Sequence, residues 1–172
     1  MNYATIKYND VANGPGVRTS LFVSGCTHRC KGCFNEVAWD FDYGEKYTKE
    51  VEDQIIESLK PSYIKGLTLL GGEPFEPQNQ EALVALTSRI RKELPTKTIW
   101  CFSGYTIENM LSGKLSKIKS TASLLNNIDI LVDGPFVESE KSLMLKFRGS
   151  KNQRIIEVKK TLEKNEIILW EE

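Results

Sequence analysis

Apolar strand-like segments alternate with amphipathic helix-like segments through the middle of the chain. Residues 17–25, 65–74, 97–105 and 127–136 are rich in β-branched and aromatic side chains and predict buried strands. Between them, residues 48–60 and 77–94 carry apolar side chains at helical spacing, and a short helix is predicted near 106–112. Such alternation predicts an α/β fold with a parallel sheet and helical crossovers. Because the chain is too short for the eight crossovers of a closed barrel, we expect a partial (β/α) barrel of mostly parallel strands.

Two helices are specified in some detail by the sequence. Thr48 is a suitable N-cap for the first, with Glu50 and Glu52 in its favourable first turn. The apolar faces predicted for the two helices consist of Val51, Ile55, Ile56 and Leu59, and of Leu83, Leu86, Ile90 and Leu94.

Each predicted strand ends in residues that suit a binding loop. The four endings are Gly25-Cys26, Gly71-Gly72-Glu73-Pro74, Ser103-Gly104-Tyr105 and Asp133-Gly134-Pro135. In parallel α/β folds the loops at the carboxyl ends of the strands build the active site. We therefore expect all four endings to face one cavity.

Composition narrows the class of protein. The 172 residues fit one domain, residues 1–172, and Lys+Arg and Asp+Glu both number 23. Without a block of like charge, a long apolar run or a signal-peptide pattern, neither nucleic acid nor a membrane is an expected partner. A cytoplasmic location is predicted.

Three cysteines, Cys26, Cys30 and Cys33, lie within one short segment. In a reducing compartment they indicate metal ligands or catalytic thiols before disulfides. Three thiolates suit a [4Fe-4S] cluster and leave one iron open for another ligand. A zinc ion completed by His28, the sole histidine, and redox chemistry of Cys30 with Cys33 stay open as alternatives. Cys101 stands alone in an apolar segment and is interpreted as a small buried side chain.

The cysteine segment, with Phe34 and Asn35 after it, resembles the cluster loop of the radical S-adenosylmethionine superfamily, and Gly71-Gly72-Glu73 resembles its cofactor-binding element. The resemblance implies a [4Fe-4S] cluster and S-adenosylmethionine as cofactors, with Glu73 accepting hydrogen bonds from the methionine ammonium group. A branched side chain at Gly72, as in Gly72→Val, is expected to keep the cluster and weaken cofactor binding, with stability not the main loss. No catalytic side chain is implied beyond the cluster and cofactor. The implied metal ligands are Cys26, Cys30 and Cys33, and the implied cofactor-binding residues are Gly32, Cys33, Phe34, Gly71, Gly72, Glu73, Ser103 and Gly104.

Gly14-Pro15-Gly16, two residues before Arg18, resembles the activating enzymes of glycyl radical enzymes. Within that group the short length, the lack of further cluster cysteines and the segment "FRGSKNQR" most resemble activators of anaerobic (class III) ribonucleoside-triphosphate reductase. The resemblance implies reductive cleavage of S-adenosylmethionine, with the resulting radical removing a hydrogen from a glycine of that partner. Reduced flavodoxin or ferredoxin is the implied electron donor.

Other functions remain open on the sequence alone. They are activation of another glycyl radical enzyme such as pyruvate formate-lyase, a radical enzyme acting on a small molecule, a non-catalytic iron-sulfur electron carrier, and a zinc-binding interaction module. In "FRGSKNQR" we hypothesise that Arg148 pairs with a carboxylate of the cofactor or partner, and that Asn152 and Gln153 bind an extended peptide backbone.

Overall fold

The computed structural model describes residues 1–172, which form one mixed sheet with its connecting helices. In chain order the elements are β1 (Asn2–Asp10), β2 (Val17–Val23), β3 (Glu45–Lys46), α1 (Lys49–Leu59), β4 (Ile64–Gly71), α2 (Pro77–Glu93), β5 (Thr98–Phe102), α3 (Ile107–Leu111), α4 (Lys119–Asn127), β6 (Ile130–Asp133), β7 (Arg154–Glu157) and α5 (Val158–Lys164). Short 3-10 turns cover Glu36–Trp39, Lys114–Lys117 and Glu138–Glu140.

The sheet has a parallel centre and antiparallel edges. Its strand order is β3-β1-β2-β4-β5-β6-β7. The four predicted strands β2, β4, β5 and β6 pair in parallel, whereas β1, β3 and β7 pair antiparallel at the two sides. The two end strands do not pair with each other, so the sheet stays open. The predicted partial barrel of mostly parallel strands is confirmed.

The helices cover one face of the sheet, as their apolar spacing predicts. Thr48 caps α1, since its side chain accepts a hydrogen bond from the backbone N–H of Val51. Most of the predicted apolar face of each helix is buried; the fully covered members are Ile55, Ile56 and Leu59 of α1 and Leu83, Leu86 and Ile90 of α2. These side chains join Leu21, Leu67, Leu69 and Ile99 of the central strands in one core, which fixes the frame on which the strand-end loops sit.

The elements that the sequence analysis did not identify lie mainly at the periphery. β1 has a mostly exposed or half-buried pattern, so it lacks the apolar run of a central strand. For residues 146–170 the sequence predicts a loop with one or two short strands, or a helix with a strand, but no bounds; β7 lies there and is held by pairing with β6. α4 begins in the Ser/Lys-rich stretch and buries Thr121, Leu124 and Leu125. Each of these elements depends on a neighbour for its structure, which local pattern does not reveal.

A buried arginine joins the amino-terminal ends of the central strands. Arg18 of β2 is 1% exposed and donates hydrogen bonds to Thr68 of β4 and to Thr98 of β5. It also donates to the carbonyl oxygens of Leu67 and Pro15. Burial lowers the pKa of Arg18 to about 10, so the guanidinium stays charged at neutral pH. All of its contacts are within the fold.

Gly14 shows why glycine precedes this arginine. Its φ is +121°, and a Cβ there would lie 2.9 Å from Cδ of Arg18. The Gly-Pro-Gly-x-Arg segment is therefore a structural anchor that ties the β1–β2 loop to the sheet.

None of the helices combines the length and apolarity that a membrane crossing would require.

Candidate functional site

A cavity of about 340 Å³ lies at the carboxyl ends of the parallel strands. Every strand-end loop predicted to face it contributes at least one residue: Cys26 after β2, Gly71, Gly72 and Glu73 after β4, Ser103 and Gly104 after β5, and Gly134 after β6. Asp133 is absent from the lining. Its carboxylate is fully buried and bonds Arg154 and the backbone N–H of Ile107 instead. Cavities of this size are typical of small-molecule and cofactor sites.

The three clustered cysteines all line this cavity and are free thiols. Cys26 is buried directly after β2, while Cys30 and Cys33 are half-buried in the exposed part of the loop. Cys101 is also free, but it is 0% exposed and belongs to the main core. The interpretation of Cys101 as a small core side chain is confirmed.

The geometry of the thiols bears on which metal group they fit. No group of three or more His, Cys, Asp or Glu side chains is arranged around a single point as one metal ion requires. Thiolates that bind a [4Fe-4S] cube sit on different irons and need no common point. Cys33 Sγ also accepts a hydrogen bond of 3.4 Å from the Asn35 backbone N–H, a contact that tunes cluster thiolates. Three free thiols around one cavity therefore fit a cube better than a lone zinc ion.

Cys26 would lose a proton on binding iron. Burial raises the pKa of the Cys26 thiol to about 12, with the charges of Glu73 and Glu76 adding to the effect. The thiolate is the metal ligand, so binding to iron at Cys26 is coupled to release of this proton.

Gly71 and Gly72 are required by the packing of two loops. Gly71 has a φ of +108°, and a Cβ there would lie 2.6 Å from the Val23 backbone. A Cβ on Gly72 would lie 2.6 Å from the carbonyl oxygen of Gly25 and 2.8 Å from that of Ala38. This corrects the expectation that stability would not be the main loss at Gly72, because the clash of a side chain there is with backbone next to Cys26.

Glu73 lies at the cavity with all its acceptor positions in use. Its side chain is fully buried. Oε1 accepts hydrogen bonds from Nε2 of His28 at 2.7 Å and from the Gly104 backbone N–H at 2.6 Å. Oε2 accepts from Ser103 Oγ and from the Phe75 backbone N–H, each at 2.8 Å. One carboxylate thus joins the cysteine loop, its own loop and the loop after β5.

His28 of the cysteine loop contacts both Glu73 and the loop after β5. Its ring meets Tyr105 edge-on with 4.4 Å between centroids, and a Cβ on Gly104 would lie 2.6 Å from its Cδ2. Burial by itself lowers the pKa of His28, but the hydrogen bond and charge of Glu73 outweigh it, so the pKa is raised. The sequence analysis considered His28 solely as a zinc ligand. Its pairing with Glu73 was not predicted because the two residues are 45 positions apart.

A second buried carboxylate holds the neighbouring residue of the cysteine loop. Glu76 is 4% exposed, and its Oε1 accepts hydrogen bonds from the backbone N–H and the hydroxyl of Thr27. The hydroxyl of Tyr105 lies 3.5 Å from the same oxygen. Thr27 and His28, directly after Cys26, are therefore the fixed part of the loop.

The aromatic residue after the cysteines lies at the mouth of the cavity. Phe34 lines the cavity and is 68% exposed, with Phe136 at 5.1 Å between centroids and the Lys141 ammonium 5.0 Å from its ring. Gly32, also predicted to bind the cofactor, is exposed beside Glu138 and does not line the cavity. Its φ of +76° suits the turn between Cys30 and Cys33.

The "FRGSKNQR" segment uses its polar side chains within its own loop. Arg148 donates to the carbonyl oxygens of Lys151 and Gln153. Gln153 accepts from the backbone of Gly149 and donates to Gly134, and Asn152 donates to Pro135. These bonds are internal to the loop, and the hypothesised contacts of Arg148, Asn152 and Gln153 with a cofactor or peptide stay a prediction. Gly149 and Gln153 nevertheless line the cavity, which makes this loop one of its walls.

The cavity is also lined by residues that the sequence analysis did not identify as site residues. They are Asn13, Phe22, Trp39, Leu70, Phe102, Val132 and Phe136. Trp39 carries an indole N–H that is buried without a hydrogen-bond partner, which is uncommon in a folded protein. Its position nine residues after Cys30, in a 3-10 turn, gives no local signal of a cavity residue.

Comparison with known proteins agrees with this arrangement. A family model described as a 4Fe-4S single cluster domain matches residues 12–156. The anaerobic ribonucleoside-triphosphate reductase-activating protein of Vibrio cholerae is 45% identical over 157 residues, which is 90% of this chain and 97% of the relative. The proteins of the same description from Escherichia coli K12 and Enterobacteria phage T4 are 42% and 39% identical, over 89% and 90% of this chain and 96% and 93% of their own.

The matched region begins in the Gly-Pro-Gly loop and ends in β7, so it contains the cysteine loop and the other loops that line the cavity. With identity above two-fifths to relatives covered almost end to end, the chain belongs to the family of anaerobic ribonucleoside-triphosphate reductase-activating proteins, which carry a radical S-adenosylmethionine-type 4Fe-4S domain.

Proposed function

We propose that this protein activates an anaerobic (class III) ribonucleoside-triphosphate reductase by generating a glycyl radical on it. The observation that carries the proposal is the convergence of three free thiols and the Gly71-Gly72-Glu73 loop on one cavity, in a chain of this family. The reaction depends on a [4Fe-4S] cluster and S-adenosylmethionine, and it makes the chain an oxidoreductase of the radical S-adenosylmethionine type.

We assign the cluster to Cys26, Cys30 and Cys33, which leaves one iron for the cofactor. When bound, the reduced cluster and S-adenosylmethionine supply a carbon radical strong enough to remove a hydrogen atom from a polypeptide backbone. The protein binds and orients the reacting groups. Glycine suits the role of target because a radical at its Cα is planar and flanked by two amides.

The cofactor is proposed to contact the loops that border the thiols. Support comes from their lining of the same cavity: Cys33 and Phe34 in the cysteine loop, Gly71 at the end of β4 with Gly72 and Glu73 after it, and Ser103 and Gly104 after β5. Gly32 stays a proposed contact through its backbone, although it lies beside Glu138 and outside the cavity lining. The apolar walls of the cavity, including Phe102 and Val132, limit water around the reacting atoms.

The exposure of the cysteine loop supports docking of other proteins near the cluster. Phe34 and Val37 are 68% and 60% exposed on that side of the molecule. We propose that the reductase covers the cavity mouth when its glycine loop enters. We also propose that reduced flavodoxin or ferredoxin donates the electron, since ferredoxin-like centres have potentials near about −400 mV and a strong small reductant is needed. The need for reduced thiols supports a cytoplasmic location.

The test uses the cluster-loaded protein, a strong reductant and S-adenosylmethionine. It is incubated with the reductase from the same source or, in parallel, with pyruvate formate-lyase. Release of 5'-deoxyadenosine and the acquired activity of each partner are measured. We expect activation of the reductase and little activation of pyruvate formate-lyase. Activation of pyruvate formate-lyase alone would refute the substrate, and cofactor cleavage that depends on an added small molecule would refute the activating role.

A further inference from the structure

We propose that Glu73 and His28 act as a clamp that sets the position of the cysteine loop relative to the Ser103-Gly104 loop. Glu73 is then a positioning residue, and its carboxylate does not hold the ammonium group of the cofactor. The inference rests on the proposed function, because it concerns how the same cavity receives S-adenosylmethionine.

The hydrogen-bond acceptor positions of the Glu73 carboxylate are all occupied. An ionised carboxylate offers about four acceptor positions. Glu73 uses four, two on each oxygen, at distances between 2.6 and 2.8 Å. Its side chain is fully buried, so no position is left open toward solvent. A direct bond to an ammonium group would have to displace one of these donors.

The four donors to Glu73 come from three different loops. Phe75 N–H belongs to the loop of Glu73 itself, whereas Ser103 and Gly104 belong to the loop after β5. His28 belongs to the cysteine loop, two residues after Cys26. The carboxylate is thus the hydrogen-bonded link between the cysteine loop, at His28, and the loop after β5, which is proposed to bind the cofactor.

The His28 ring packs tightly against the loop after β5. A Cβ on Gly104 would lie 2.6 and 2.7 Å from Cδ2 and Nε2 of His28, so the absence of a side chain at this position lets the ring fit against the backbone. Tyr105 closes the other side at 4.4 Å between ring centroids. The His28 ring has little room to move while Glu73 holds it.

The consequence concerns the cofactor more than the cluster. The cluster depends on three thiolates that the clamp does not replace. The cysteine loop would hold the iron to which S-adenosylmethionine binds, and the loop after β5 would contact the same cofactor. Its affinity therefore depends on the relative position of the two loops, which is what Glu73 and His28 determine.

The experiment compares His28→Phe, Glu73→Gln and the double variant on reconstituted protein. Phe keeps a planar ring for Tyr105 and Gly104 but cannot donate to Glu73. Iron per chain, the dissociation constant for S-adenosylmethionine, and the electron paramagnetic resonance signal of the reduced cluster with and without the cofactor are measured. Asp133→Asn serves as the matched control, because it alters a buried strand-end carboxylate outside the cavity lining.

We expect both single variants to retain iron and to show an unchanged signal without S-adenosylmethionine. Each should bind the cofactor about tenfold or more weakly, the scale of one lost hydrogen bond to a charged group. The double variant should be little weaker than the worse single variant, because both remove the same link. His28→Gln, which keeps an N–H donor, should restore part of the affinity, and Asp133→Asn should bind the cofactor as the wild type does.

Normal cofactor affinity in His28→Phe together with weak binding in Glu73→Gln would overturn the clamp and favour direct contact by Glu73. Loss of iron in His28→Phe would overturn it also, since the residue would then serve cluster retention. If the loaded wild type failed to bind S-adenosylmethionine, the clamp and the proposed function would both be wrong. If it bound the cofactor but did not activate the reductase, the proposed function alone would fail.

Discussion

Individual cysteines give the sharpest residue-level prediction. Replacing Cys26, Cys30 or Cys33 by Ala leaves two thiolates for the cluster, so iron and acid-labile sulfide should fall close to zero after anaerobic reconstitution. Cys101→Ala should keep the full iron content and lose roughly 1 kcal/mol of stability, as is common for a core substitution. Loss of iron in Cys101→Ala, with iron retained in a loop variant, would show that the ligands are assigned wrongly.

Gly72→Ala tests whether the loop is required by packing. The new Cβ would meet two carbonyl oxygens at 2.6 and 2.8 Å, so the free energy of unfolding of the apoprotein should fall by roughly 1–3 kcal/mol, as for other overpacked sites. Gly149→Ala is a suitable comparison, since its Cβ would meet the Phe136 side chain at 3.1 Å and no backbone. Urea unfolding measures both. Equal stability of Gly72→Ala and the wild type would restore the view that this glycine serves the ligand alone.

At single residues, the sequence predicted types of chemistry better than hydrogen-bond partners. The spacing of Cys26, Cys30 and Cys33 was sufficient to predict that they lie together, and the isolation of Cys101 was sufficient to predict its place in the core; the assignment of the first three as cluster ligands stays a prediction. The four partners of Glu73 were not predictable. Three of them come from segments 30 to 45 residues away, and these meet only when the sheet brings the strand ends together.

Among the elements, β2, β4 and β5 share Arg18 as a common anchor. Arg18→Lys keeps the charge but cannot reproduce the bonds to Thr68, Thr98 and Leu67, so stability should fall by roughly 1–3 kcal/mol. Arg89→Lys, at a partly exposed ion-pair network between α1 and α2, should cost clearly less than Arg18→Lys, because solvent screens exposed ion pairs. Denaturant unfolding compares the two. Similar losses in both variants would argue against the anchor.

A pH-dependent contact joins α3 to β7. The hydrogen bond and charge of Arg154 lower the pKa of Glu108 below its ordinary value of 4.5. A lowered carboxylate pKa adds stability above the ordinary value, and this stability is lost as pH falls through the folded-state pKa. The difference in unfolding free energy between wild type and Glu108→Gln should therefore be largest near neutral pH. It should shrink toward zero as the pH falls below 4.5. A constant difference across this range would contradict the assignment.

The central elements were predictable and the peripheral ones were not. β2, β4, β5, α1 and α2 have strong apolar periodicity because each buries a face in the core. β1, β7 and α4 owe their structure to pairing and packing with those elements. The antiparallel pairing of the edge strands was missed for that reason, while the parallel central strands whose ends build the cavity were predicted.

Over the whole molecule, the open sheet and the exposed cysteine loop place the cavity where a large partner can reach it. The sheet ends at β3 and β7 without closing, and the cavity lies at the carboxyl edge of its parallel strands. Such a site needs a partner to exclude water during a radical reaction. We therefore expect a stable complex with the reductase, detectable by size-exclusion chromatography under anaerobic conditions. Tight binding of an unrelated glycyl radical enzyme with no binding of the reductase would contradict this expectation.

We expect a radical formed in the cavity of this protein to remove a hydrogen atom from a glycine of the reductase. The most direct measurement is electron paramagnetic resonance of the reductase after incubation with cluster-loaded protein, reductant and S-adenosylmethionine. We predict a carbon-centred signal split into a doublet by the remaining Cα hydrogen, which collapses to a singlet when the reductase contains deuterated glycine. The signal should be absent when Cys30→Ala replaces the wild type. A reductase that gains no such signal while the wild-type protein holds its cluster and cleaves S-adenosylmethionine would contradict the claim.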